Sequence, residues 1–142
     1  MRRAALAALV LLAGCGADEG GDAAAYEKAG NAICAEYETS IAKLGQPTQI
    51  EELGPYIAQA LPLLTRIVER VEKLDPPAEL REEYEAFRDT ARQTVDRATA
   101  LRSAAEAADA DEVKRLLAEA TTAGERRVEL ARAAGLEACA EI

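Results

Sequence analysis

The sequence predicts an all-α protein, an up-down-up-down four-helix bundle with a kinked second helix, and three observations predict it. Alanine, leucine, glutamate and arginine, all good helix formers, dominate the chain. From Tyr26 onward apolar residues recur at three- and four-residue spacing, and strand-like alternation appears nowhere. The breaks between periodic stretches are short and carry proline, glycine or aspartate, so consecutive helices are expected as antiparallel neighbours. With 142 residues, 49% hydrophobic and 30% charged, the chain belongs to a folded class and has room for one domain with a core.

The start of the chain has a different character. Met1-Arg2-Arg3 is basic, and Ala4 to Leu12 is an unbroken apolar run. That run is too short to span a bilayer as a permanent helix but suits the apolar region of a signal peptide. Leu12-Ala13-Gly14-Cys15 follows: a branched apolar residue, two small residues and a cysteine. This stretch resembles the bacterial lipobox at all four positions. The resemblance implies that residues 1–14 are cleaved and that a diacylglyceryl group joins the Cys15 sulfur by thioether, with Cys15 as the new first residue. Acyl chains contribute about 0.8 kcal/mol per buried CH₂, enough for two or three of them to anchor the chain to a membrane. Residues 15–25, rich in glycine, alanine and acids, are expected as the lipidated cysteine and a flexible tether, and residues 26–142 as the helical body.

The first helix is expected over about Ala24 to Leu44, with Tyr26, Ala29, Ile33, Tyr37, Ile41 and Leu44 on one face and Gly45-Gln46-Pro47 as its stop. Thr48-Gln49-Ile50-Glu51 reads as a capping box for the second helix. The apolar seam there is Leu53, Ile57, Ala60, Leu64, Ile67, Val71 and Leu74. Pro55 is expected to restart that helix. Pro62, which lacks an N–H and crowds the Ala58 carbonyl, should kink it. Asp75-Pro76-Pro77 ends the segment. The third helix, about Ala78 to Ala108, has Leu80, Tyr84, Phe87, Ala91, Thr94, Ala98, Leu101 and Ala105 as its seam. Asp109-Ala110-Asp111 supplies a short turn and a cap for the fourth, whose apolar residues are Val113, Leu116, Leu117, Ala120, Ala123, Val128 and Ala131, and Gly135 is placed to end it.

With Cys15 assigned to lipid, Cys34 and Cys139 remain as an even pair in a chain read as exported, and a disulfide between them is expected. In the predicted topology both lie toward the same end of the bundle. A redox dithiol would call for Cys-x-x-Cys, and the usual zinc sets for histidine; the chain has neither.

The composition weighs against several function classes. The formal charge is −9, and loss of Arg2 and Arg3 with the signal peptide takes it to about −11. Such acidity repels nucleic-acid phosphates and anionic head groups. Without histidine there is no Glu-x-x-His metal pair and no histidine base, and no Gly-x-Ser-x-Gly occurs. An enzyme is therefore the least favoured class, with no catalytic, metal or cofactor-binding residue nominated. Glu82-Glu83-Glu85 and Asp109-Asp111-Glu112 are expected as solvated faces, with pairs such as Asp111 to Arg115. Thr121-Thr122-Ala123-Gly124 opposite the proline-interrupted second helix suggests a ligand cleft near Pro62 and Gly124, against the alternative of close helix packing. Tyr26, Tyr37, Tyr56 and Tyr84 are expected to turn their rings inward and keep their hydroxyls wet.

Asn31-Ala32-Ile33-Cys34, Leu44-Gly45-Gln46-Pro47, Pro76-Pro77-Ala78-Glu79-Leu80 and Gly135-Leu136-Glu137-Ala138-Cys139 together resemble uncharacterised helical lipoproteins of high-GC Gram-positive bacteria. The resemblance bears on fold and location and transfers no binding residue. The expectation is a monomeric, lipid-anchored protein on the extracytoplasmic face of the cell membrane. It would act without catalysis by docking a cell-envelope protein, or alternatively by binding a small ligand between helices two and four.

Overall fold

Four long helices follow one another, and each packs on the next in sequence. A computed structural model describes residues 20–142. The expected signal peptide, Cys15 and the first part of the tether lie outside the described residues. The helices are α1 (Ala23–Ala42), α2 (Ile50–Val71), α3 (Arg81–Glu106) and α4 (Ala110–Ala133), followed by a one-turn α5 (Glu137–Ala140). No strand occurs among the described residues.

α1 begins earlier than composition suggests. Asp22 caps it, accepting the Ala25 N–H at 2.7 Å, so residues 20–25 belong to the folded body rather than to a tether. Gly20 and Gly21 lie against the α2–α3 connection, and the Gly21 N–H donates to the Pro76 carbonyl at 3.1 Å. A Cβ at Gly21 would fall 2.0 Å from the Asp75 oxygen, so glycine is what allows this approach. The buried face of α1 is Tyr26, Gly30, Ile33 and Cys34. Gly30 replaces the expected Ala29 because the Leu136 side chain occupies the space a Cβ would take, 2.3 Å away.

α2 runs unbroken through Pro55 and Pro62. Both prolines are exposed, as are Glu51 and Ala58, so the carbonyls that lose a partner can turn to water. Its cap is shifted by one residue from the expected box. Gln49 is the N-cap, which puts Glu52 at the third helical position, and the Thr48 N–H and hydroxyl both donate to the Glu52 carboxylate at 2.7 and 3.1 Å. α3 is entered through a 3₁₀ turn at Ala78–Leu80 after the two prolines. Asp109 caps α4 by accepting the Glu112 N–H at 3.0 Å.

α4 ends as a Schellman motif. Leu136 N–H donates to the Ala131 carbonyl and Gly135 N–H to that of Arg132, with Gly135 at φ +71°, a conformation that favours glycine. The chain then turns into α5, which packs on both α1 and α4 and joins them. Asn31 on α1 secures the turn by accepting the Ala138 N–H at 2.8 Å.

Two apolar clusters form the core. The larger, at the end that holds Gly20, the α2–α3 connection and α5, contains Tyr26, Cys34, Val71, Phe87, Leu136 and Cys139 among others. The smaller, at the other end, is built from Ala104, Val113 and Leu116, with Leu53, Leu101 and Ala105 against it. Fully burying a side chain such as Val71, Val113 or Leu136 contributes about 1.5–3 kcal/mol. Between the clusters lies a stretch of α4 in which no residue from Leu117 to Glu129 is fully buried.

Candidate functional site

The distinctive features of the molecule concentrate where the C-terminal turn meets α1 and in the gap between the two apolar clusters. Cys34 and Cys139 are disulfide-bonded, with Cα atoms 5.0 Å apart across a sequence separation of 105. Both are almost wholly buried, at 1% and 0% exposure. The bond pins α5, and with it the end of α4, to α1.

Beside it the rings of Tyr26 and Tyr84 meet edge to face, with centroids 5.9 Å apart. Their hydroxyls are not wet, as expected from sequence, but spent on helix ends. Tyr26 donates to the Ala134 carbonyl at 2.9 Å, an acceptor that the end of α4 leaves without a backbone partner, and Tyr84 to the Val71 carbonyl at 2.6 Å, which also accepts the Leu74 N–H at 3.0 Å. Burial raises the pKa of both phenols, chiefly by desolvating the phenolate.

Arg127 projects from α4 toward the same region. One guanidinium nitrogen donates to the Cys139 carbonyl at 2.7 Å and another to the carbonyl of Ile142. Burial lowers its pKa, with Tyr37 acting the other way. Tyr37 itself is shifted upward, first by burial and then by Tyr56. Arg127, Tyr37, Cys34, Phe87 and Ile142 enclose part of a central cavity of about 150 Å³ whose remaining walls are aliphatic, apart from Thr94.

Thr94 and Arg127 also form a wall of a second space, a hollow of about 240 Å³ between α3 and α4. Gly124 lines this hollow, and a Cβ placed on it would meet nothing within 4 Å. Close packing is therefore not the reason for a glycine there. Pro62 lines a different depression, an open groove between α2 and α3 with Arg66, Glu69 and Arg102. The structure thus does not bring Pro62 and Gly124 to one cleft. Because the helices pack in sequence, α3 stands between α2 and α4.

The acidic stretches lie at the surface. Arg115 pairs with Glu112 and Glu119, and Asp111 with Lys114 at 3.9 Å, instead of the expected Asp111–Arg115 pair. Exposed pairs of this kind contribute little to stability. No helix among the described residues is long and apolar enough to cross a membrane.

Reading the sequence missed Arg97 and Arg127, the polar groups at the hollow. A signal was present for the second. Arg127 stands four residues after Ala123 and four before Ala131, a position on the apolar stripe where a charge is out of place. No protein family matches the chain, and no curated protein or solved structure matches it.

Proposed function

We propose that this is a lipid-anchored protein of the extracytoplasmic face of a bacterial membrane, a non-catalytic docking element for another envelope protein. The observation that carries the reading is the buried Cys34–Cys139 disulfide. Such bonds persist in compartments outside the cytosol, and this one occurs in a chain that opens on Arg2-Arg3, an apolar run and Leu12-Ala13-Gly14-Cys15. In this reading residues 1–14 are removed, Cys15 carries the lipid, and the body is an up-down-up-down bundle bent at Pro62.

The docking of Gly20 and Gly21 on the Asp75–Ala78 connection supports a short leash. From Cys15 to Gly20 an extended chain reaches at most about 18 Å. The end of the bundle that carries Pro76 and Pro77 would therefore sit close to the membrane. The connections near Gly45 and Asp109 would point away from it, where a partner can reach them. The acidic body, repelled by anionic head groups, would depend on the acyl chains to stay at the surface.

Cross-linking in intact cells, followed by mass spectrometry of the captured chain, tests the docking role. A recurrent envelope protein joined through the outward connections is the expected result. Absence of any partner above background, with the chain present at the membrane, would overturn it.

A further inference from the structure

The hollow between α3 and α4 is kept open at a cost. Gly124 sits in the interior of α4, where glycine is less favourable than alanine by about 1 kcal/mol. Its backbone has no positive φ, and no neighbour would obstruct a side chain. The one structural consequence of glycine there is empty space, over an apolar floor that includes Leu101, Leu116, Ala120 and Ala123.

Arg97 lines the hollow beside this floor. The Arg97 Nη2 donates to the Gln93 side-chain oxygen at 3.0 Å, but its Nη1 is buried and has no acceptor among the described residues. Nor does Arg97 form an ion pair among them. A buried guanidinium nitrogen without a partner is costly, and a planar carboxylate is the group it matches best. Arg127, on the opposite side, adds positive potential, although its own donors are used on Cys139 and Ile142. No acid among the described residues lines the hollow, and Glu119 on this stretch of α4 is paired with Arg115. In a chain of net charge −9 this is a locally basic, otherwise apolar pocket.

We propose that the α3–α4 hollow binds a short-chain carboxylate amphiphile, with its head on Arg97 and its tail against Leu101, Leu116 and the gap left by Gly124. At about 240 Å³ the hollow falls below the 300–1,000 Å³ of drug-sized sites, so the tail is short. The site does not depend on the lipid anchor or on a protein partner.

The test is calorimetric titration of octanoate into residues 15–142 carrying Cys15→Ser, oxidised at Cys34 and Cys139 and free of detergent. Octanoate should bind at one site, with 1-octanol weaker by about tenfold or more, because a charge-assisted hydrogen bond is lost. Arg97→Gln should reduce octanoate to the level of octanol while leaving octanol unchanged. Gly124→Leu should abolish binding of both without lowering the melting temperature, since leucine fills the hollow and favours the helix. No octanoate binding, equal binding of octanol and octanoate, or binding that survives Gly124→Leu in a folded protein would each overturn the proposal.

Discussion

The Tyr26 hydroxyl donates to the Ala134 carbonyl oxygen at 2.9 Å, tying the first turn of α1 to the end of α4 across 108 residues. Removing the hydroxyl leaves a buried carbonyl without its partner. Tyr26→Phe should therefore lower the unfolding free energy by about 1–3 kcal/mol, a loss read from the urea midpoint. An unchanged midpoint would mean that the hydrogen bond contributes nothing net.

Tyr26, Tyr37 and Tyr84 also set the response to alkali. Burial is the first cause of each upward pKa shift. The unfolded phenols ionise near pH 10, while the folded ones hold their protons to higher pH. Below about pH 10 both states bind the same protons and stability is unaffected. Above it the native state binds more, so stability falls as pH rises. Tyrosinate absorbance and helical circular dichroism should change together above that pH. Free titration near pH 10 with helix content intact would contradict the burial of these rings.

Reduction of the Cys34–Cys139 bond should cost about 4–5 kcal/mol, the chain-entropy value for a separation of 105 residues. Because both sulfurs are buried, native protein should resist mild reductant until it opens. Denaturation midpoints of the oxidised protein and of the Cys34→Ala, Cys139→Ala double variant give the difference. Equal midpoints would remove the bond from the account of stability.

Gly21→Ala should release the start of the body from the α2–α3 connection. The added methyl would lie 2.0 Å from the Asp75 oxygen, and the Gly21–Pro76 hydrogen bond cannot survive that displacement. Hydrogen exchange should show protection lost in the first turn of α1 and retained around Cys34, with about 1–3 kcal/mol lost overall.

Much of the fold was legible in the sequence because it rests on local chemistry. The three- and four-residue spacing of Tyr84, Phe87 and Ala91, the Asp109 cap and the Gly135 stop all report short-range requirements, and the structure meets each of them. What was not legible depends on residues distant in sequence. Gly20 and Gly21 read as tether because composition does not reveal Asp75–Ala78 lying against them. Ala29 was placed on the buried face instead of Gly30 because the reason for Gly30 is the Leu136 side chain more than a hundred positions away. The cleft expected from Pro62 and Gly124 presumed that α2 and α4 face each other, whereas α3 separates them. Arg97 was missed because nothing local shows that its Nη1 is buried without an acceptor.

The central claim is the lipid at Cys15, and intact-mass measurement of the chain extracted from its own membranes tests it most directly. The account predicts a polypeptide that begins at Cys15 and carries a diacylglyceryl group on that residue, with the mass of the Cys34–Cys139 disulfide retained. A chain that keeps Met1, or begins elsewhere with an unmodified Cys15, would contradict it.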